Sequence, residues 1–334
     1  MLYPDKTDRG EGLNMTTGTA NLLGRRALIG GSIATGITAT LPARAAEALR
    51  FRPIWPGGPP GSAAVHVVER EVPRSATGPA DDTAFVHVRT PALVHAIPAR
   101  PNGAAMLLIP GGGYRRVAIG HDGRDMLRFF AERGYHVYLL KYRLPGDGWA
   151  AGPDTPLQDA QRALRIVRAE AAANGVAKDR IGVMGFSAGG HLAAMLACRS
   201  DATYPATDAI DAQPLGVRIA GLLYPVALMG VAGTHRASQE QLLGPAPSPE
   251  RAARYRSDAR ITGASPPTFL THALDDAIVG VDNSLALLGA LRRAKVAAEA
   301  YLPELGGHGF GVLRDGRAAP WTALFLDWAR RHGL

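Results

Sequence analysis

The chain has 334 residues, 46% of them hydrophobic, which is enough to bury a full core in one large α/β domain or two smaller ones. Its formal net charge is +8, yet the arginines are scattered with no basic run interleaved with aromatics, which argues against a nucleic-acid-binding surface. The one cysteine, Cys198, excludes an internal disulfide and any cysteine-based metal cluster, and reads as a small core residue.

Residues 1–45 read as a targeting segment rather than as part of the fold. Arg25-Arg26 is followed by a mildly apolar, glycine-containing run from Ala27 to Ile37, then by Pro42-Ala43-Arg44-Ala45, which has the small-x-small form of a cleavage site. This resembles a twin-arginine export signal, which implies a periplasmic or secreted protein that is free of the membrane once the signal is cut. An uncut anchoring helix is the alternative, although the uncharged run is short for a span. Met15 is an alternative start to Met1.

Residues 46–63, rich in proline and glycine, read as an extended arm. Val65–Val68 and Ala84–Arg89 alternate as half-buried strands and are expected to open the sheet in antiparallel fashion. The continuous apolar run Ala104–Ile109 predicts a strand covered on both faces. Asp122–Arg133 has the spacing of an amphipathic helix ended by Gly134, and Tyr135–Lys141 is the next strand. Residues 145–156 read as loop, Gln158–Ala173 as a helix closed by Asn174-Gly175, and Arg180–Met184 as a strand. Strands alternating with helices through short links imply right-handed crossovers and a parallel sheet. Further strands are expected at Arg218–Tyr224, Pro267–Thr271 and Ala297–Leu302. Helices are expected at Asn283–Ala294, with Asp282 as N-cap, and at Trp321–Arg331. The turn-rich stretch 229–265 breaks this rhythm and is the natural place for a partial lid over the carboxyl ends of the strands.

The chemistry concentrates in Gly185-Phe186-Ser187-Ala188-Gly189, which lies between the strand and an unbroken helical run, Leu192–Leu196. A strand-to-helix turn this tight needs glycines on either side of its apex, and it lifts the serine clear with a helix N-terminus behind it. Pro110-Gly111-Gly112-Gly113-Tyr114 stands one strand-helix-strand unit earlier. Its bare amides suit an anion site, and the lack of a following Gly-Lys-Ser/Thr disfavours a phosphate loop. The resemblance of this turn to the glycine-rich turn of α/β-hydrolases implies that the anion donors are the amides of Gly112 or Gly113 together with that of Ala188. A serine needs a base, and the base needs an orienting carboxylate; in α/β-hydrolases, whose Gly-x-Ser-x-Gly turn this one resembles, they follow in the order Ser, Asp, His. His308 lies in a post-strand loop framed by Gly307 and Gly309, while Asp275 and Asp276 both lie in the loop after Pro267–Thr271. His191, inside the helix after Ser187, reads as a packing or hydrogen-bonding residue.

With these residues together, the chain resembles the α/β-hydrolase superfamily: a mostly parallel, doubly wound sheet of about eight strands with helices on both faces, here spanning residues 64–334. Within it, the chain is similar to the acetyl xylan esterase or xylanase-associated carbohydrate esterases of the BD-FAE-like type. The resemblance rests on Pro110–Tyr114, Leu140-Lys141-Tyr142-Arg143-Leu144, Pro156-Leu157-Gln158-Asp159-Ala160, Gly185–His191 and Gly306-Gly307-His308-Gly309-Phe310. The family pattern His-x-x-x-Asp-x-x-Val, laid on His272–Val279, selects Asp276 over Asp275. The resemblance implies a serine esterase with Ser187, His308 and Asp276 as triad, no metal or cofactor, and a small ester or acetylated sugar as substrate. Tyr114, Tyr142 and Trp149 are expected to line the pocket. The alternatives are a generic short-chain carboxylesterase, a peptidase of the prolyl-oligopeptidase type and a noncatalytic binder on the same fold.

Overall fold

The structure, a computed structural model, describes residues 49–314 and 316–334, the side chains of His121 and Asp122 excepted. The export-signal reading of residues 1–45 therefore lies outside the described residues. The chain passes through β1 (Arg52–Pro53), β2 (Arg70–Pro73), β3 (Thr83–Val86), β4 (Ala92–Ala96), β5 (Ala105–Ile109), β6 (Val117–Ala118) and α1 (Gly120–Ala131). It continues through β7 (His136–Lys141), α2 (Thr155–Glu170), β8 (Ile181–Phe186), α3 (Ala188–Cys198), β9 (Ala220–Leu223), α4 (Arg236–Leu243) and α5 (Pro249–Arg254). The last elements are β10 (Thr268–Thr271), α6 (Asp282–Arg293), β11 (Ala298–Tyr301), β12 (Leu313–Arg314), β13 (Arg317–Ala318) and α7 (Pro320–Arg331).

The main sheet has eight strands in the order β1-β4-β7-β5-β8-β9-β10-β11. The six from β7 to β11 in that order are parallel, and β4 and β1 add antiparallel at one edge. The apolar runs without alternation are the central strands: β5, β7 and β8 are buried at every position. Each fully buried aliphatic side chain there contributes roughly 1.5–3 kcal/mol. Helices cover both faces. Alternation along β8 turns Gly185 towards α3, where an added Cβ would lie 2.7 Å from the Ala193 Cβ, and turns Gly182 the other way, against Leu334 beyond α7. Phe130 of α1 meets Phe325 of α7 edge-on at 5.8 Å, which places those two helices on one face. No helix among the described residues is long and apolar enough to cross a membrane.

The start of the sheet differs from expectation. Val65–Val68 forms no strand, and Ala84–Arg89 is cut short at His87, whose φ of +53° turns the chain. The shortened strand, β3, belongs to a separate three-stranded sheet with β2 and β6. The edge of the main sheet is built instead by β4, whose consecutive buried residues Ala92, Leu93 and Val94 show no alternation because both faces are covered. Residues 145–156 hold two short 3₁₀ turns, Pro145–Asp147 and Gly152–Asp154, and α2 begins at Thr155 with Pro156 in its first turn. Asp282 is not the cap of α6. Val281 holds that position, and Asp282 stands inside the first turn, where its charge complements the helix dipole without a side-chain cap bond. Cys198 ends α3 only partly buried.

Two buried polar groups tie peripheral segments to this frame. The Arg143 guanidinium and the Asp159 carboxylate pair at 2.8 Å with both side chains fully buried. Asp159 also accepts from Trp55 Nε1 at 2.8 Å and Arg143 donates to the Pro60 carbonyl at 2.7 Å, so the proline-rich arm is pinned to α2. Removing one member would strand the other charge, which costs about 3–5 kcal/mol in buried pairs. Asn283, fully buried, accepts from the amides of Ala227 (2.9 Å) and Leu228 (3.0 Å) and donates to the carbonyls of Gly233 and Gly280, both at 3.0 Å.

Candidate active site

Ser187 caps α3 with φ 55° and ψ −123°, a conformation outside the basins that non-glycine residues ordinarily occupy. Such strain costs about 1–3 kcal/mol and persists only where the surroundings impose it. Here they do. A Cβ on Gly185 would lie 2.2 Å from the Gly189 carbonyl oxygen, and one on Gly189 would lie 2.2 Å from that of Ile109 and 2.3 Å from that of Pro110. The Ser187 amide donates to Leu223 O (3.0 Å), while its carbonyl accepts from the amides of His191 and Val226, both at 3.1 Å.

His308 meets this serine from the loop after β11. Its Nε2 stands 2.9 Å from Ser187 Oγ and its Nδ1 2.7 Å from Asp276 Oδ2. The carboxylate can only accept, so the proton sits on Nδ1, and Nε2 is left with a lone pair towards the hydroxyl. Gly307 (φ 60°) and Gly309 (φ 85°) place the imidazole through backbone conformations that side chains avoid. The ring packs edge-on against Tyr224 at 4.9 Å.

Asp276 is fixed from all sides. Its side chain is fully buried; Oδ1 accepts from the amides of Ile278 and Val279, each at 2.9 Å, and Oδ2 accepts from His308 and, at 3.1 Å, from His272 Nε2. Burial alone would raise its pKa, but the bonds from His272, His308 and the Val279 amide reverse this and hold the carboxyl well below the usual range. His272, also fully buried, is a residue that sequence reasoning passed over as a functional group. Its Nε2 faces two acceptors, Asp276 and the Val279 carbonyl at 2.8 Å, so it carries the proton, and Nδ1 accepts from Ser284 Oγ at 2.8 Å. The spacing His-x-x-x-Asp was the available signal. Asp275, the other acid of the loop, points away from the imidazole: its Oδ1 accepts from the amides of Gly306 (2.9 Å) and Gly307 (2.7 Å) and so docks the His308 loop.

The glycine turn lies directly on the serine, since a Cβ on Gly111 would come within 3.0 Å of Ser187 Cβ. The carbonyls of this turn are tied back. Pro110 O accepts from Tyr142 Oη (2.8 Å), Gly111 O from the Ala118 amide (2.9 Å), and Gly112 O from the amides of Arg115 and Arg116, both at 3.2 Å. The amides of Gly112 and Gly113, and that of Ala188 at the start of α3, donate to no loop acceptor among the described residues. They are thus available to an oxyanion. Gly112 (φ 129°) and Gly113 (φ 64°) account for the glycines, and Tyr114 follows at φ 60°.

A cleft of about 490 Å³ opens over these groups. Phe186, Met126 and Leu139 give it an apolar part, Arg74, Arg115 and Arg116 a charged part, and His235, Ala237, Glu240 and Gln241 of the 229–265 insertion one wall. The three aromatics expected to line it do not. Tyr114, Tyr142 and Trp149 are 1%, 0% and 3% exposed and support the site from behind. Tyr142 braces Pro110, Trp149 lies against the Arg143 guanidinium at 4.9 Å, and the Tyr114 hydroxyl donates to His191 Nδ1 at 2.7 Å. The Nε2 of His191 in turn donates to the Tyr255 carbonyl at 2.7 Å, joining glycine turn, α3 and insertion. Burial lowers its pKa to about 4, so the ring is neutral, a hydrogen-bonding residue as its helix position suggested. No group of three or more His, Cys, Asp or Glu side chains among the described residues is arranged to hold a metal ion.

Comparison with known proteins agrees with the fold. The model of the BD-FAE family matches residues 98–291, more than half of the chain. The chain is 31% identical over 223 residues to endo-1,4-beta-xylanase B of Butyrivibrio fibrisolvens, covering 65% of this chain and 34% of that protein. It is 30% identical over 226 residues to an acetylxylan esterase of Xylanibacter ruminicola, covering 66% of this chain and 43% of that protein. It therefore spans less than half the length of these curated relatives. Among solved structures, an acetyl ester-xyloside bifunctional hydrolase of Caldicellulosiruptor lactoaceticus superposes with a TM-score of 0.68 at 27% identity, over 85% of this chain and 96% of that one. The chain belongs to the BD-FAE family and has the α/β-hydrolase fold.

Proposed function

We propose that the protein is a serine hydrolase that removes short acyl groups, acetyl foremost, from a carbohydrate or plant polysaccharide fragment. The observation that carries the chemistry is the unbroken line Asp276–His308–Ser187, with 2.7 Å and 2.9 Å links, beside three uncommitted amides. Ser187 Oγ attacks the ester carbonyl as His308 Nε2 takes its proton. Asp276 holds the imidazole in the required tautomer and stabilises the imidazolium. The amide of Ala188 with that of Gly112 or Gly113 holds the tetrahedral oxyanion. His308 then returns the proton to the leaving alcohol, and water, activated the same way, releases the acyl group from Ser187. The xylan-linked names of the related proteins support the carbohydrate side of this reading.

The 229–265 insertion acts as the partial lid, a role supported by the four residues it lends to the cleft. The twin-arginine pattern at the N-terminus supports export to the periplasm or beyond. The test is Ser187→Ala on p-nitrophenyl acetate together with fluorophosphonate labelling. Wild-type turnover by the variant, or failure of the folded wild type to label, would refute the mechanism. Ranking acetylated xylo-oligosaccharides against simple alkyl acetates by kcat/KM tests the substrate, and a preference for the alkyl esters would make it a generic carboxylesterase.

A further inference from the structure

The cleft carries three guanidinium groups that hydrolysis of a neutral acetyl ester does not require. We infer that Arg74, Arg115 and Arg116 form a subsite for a carboxylate on the ester substrate, borne either by the acyl half, as in a dicarboxylic half-ester, or by the alcohol half, as in a uronate. The inference rests on the hydrolase reading above.

All three arginines line the same cleft as Ser187 and His308. Arg115 and Arg116 follow the glycine turn directly, and the stem of Arg116 packs on that turn, its Cγ 3.1 Å from the position a Cβ on Gly112 would take. Neither Arg115 nor Arg116 forms an ion pair with a carboxylate among the described residues. Arg74 pairs with Asp82 at 3.0 Å, and among the described residues Arg116 Nη1 donates to the neutral Arg74 carbonyl at 3.2 Å. Arg115 is exposed and makes no side-chain hydrogen bond or ion pair among the described residues. Among the described residues that line the cleft, Glu240 is the one carboxylate. Burial and the neighbouring charges of Arg74 and Arg115 pull the Arg116 pKa below its ordinary value, against a smaller opposing effect of Asp82. These cations repel one another, and an anion among them would relieve that repulsion. The planar fork of arginine matches a carboxylate in geometry as well as charge. The apolar surface of Phe186, Met126 and Leu139 beside them suits the carbon skeleton that carries it.

The test uses two matched pairs of esters. One is p-nitrophenyl hemisuccinate and its methyl ester, corrected for spontaneous hydrolysis. The other is an acetylated oligosaccharide bearing a glucuronate and the same oligosaccharide with the glucuronate methyl-esterified. The expected result is a preference for the charged member of about tenfold in kcat/KM in one pair, the size of a charge-assisted hydrogen bond. The pair that shows it identifies the half of the substrate that carries the carboxylate. The preference should shrink as salt rises and fall towards unity in Arg115→Gln and Arg116→Gln. Because the readout is a ratio within one enzyme preparation, a general loss of folding or activity leaves it unmoved. Ratios near one in both pairs for the wild type, or a preference unchanged in both variants, would overturn the subsite. No turnover of any of the four esters would instead overturn the hydrolase reading itself.

Discussion

Replacing Asp276 with asparagine exchanges one oxygen for an NH₂ group and leaves the shape intact, yet the hydrogen bonds around it allow no satisfactory orientation. Asp276 accepts four hydrogens: the amides of Ile278 and Val279 on one oxygen, His308 and His272 on the other. An asparagine with its NH₂ towards the histidines meets the protonated His272 Nε2 and drives the His308 proton from Nδ1 to Nε2, where it blocks the lone pair that faces Ser187. An asparagine with its NH₂ reversed meets two amide donors instead. Each buried donor left unsatisfied costs about 1–3 kcal/mol, so a stability loss of roughly 2–4 kcal/mol is expected. For activity, the wrong tautomer lowers kcat by about 10⁴-fold, which is about 5.5 kcal/mol of transition-state stabilisation. Steady-state kinetics on p-nitrophenyl acetate, with denaturant unfolding in parallel, measure both. A variant whose kcat stays within tenfold of wild type would refute the assignment of Asp276 as orienting acid.

Asp275 should behave differently. Asp275→Ala frees the amides of Gly306 and Gly307 and should lower kcat about tenfold by loosening the His308 loop, whereas Asp275→Asn, which keeps an accepting oxygen, should restore most of the rate; equal rates in wild type and Asp275→Ala would exclude this docking role. His191 supplies a pH signature. Its folded pKa of about 4 lies below the ordinary 6.5, so the stability that its neutral form supports is present above pH 6.5 and is lost as pH falls towards 4. Between pH 7.5 and 4.5 the wild type should therefore lose about 2–3 kcal/mol more than His191→Gln. Parallel pH dependences of unfolding for the two proteins would contradict the buried, neutral assignment.

The features legible in the sequence were those whose cause is local. Gly185 and Gly189 about Ser187 stand where backbone meets backbone within a few residues, so their spacing carried the geometry, and the glycines about His308 did the same. Asp275 and Asp276 stood undivided on spacing alone, because adjacent residues in a turn can each face the imidazole; only the amides they accept from tell them apart. Tyr114, Tyr142 and Trp149 were misplaced for the complementary reason. An aromatic next to a site motif can line the cleft or brace its floor, and which of these it does depends on long-range packing such as Tyr142 on Pro110 and Trp149 on Arg143. Strand β4 lacked the alternating pattern because β1 and β7 flank it and both its faces are covered. His235 and the arginines were hidden in stretches that look like ordinary surface until the insertion folds across the cleft.

The segment that forms that wall is clipped at both ends by single buried side chains. Asn283 grips the chain at Ala227, Leu228 and Gly233, and His191 holds it again at the Tyr255 carbonyl. Both grips act on main-chain atoms, which every amino acid shares. The stretch between them can therefore change in sequence, and to a degree in length, while Ser187, His308 and Asp276 keep their positions. For protein engineering this makes residues 234–254 a replaceable cassette: transplanting the corresponding stretch from another family member should exchange substrate preference without rebuilding the hydrolytic frame.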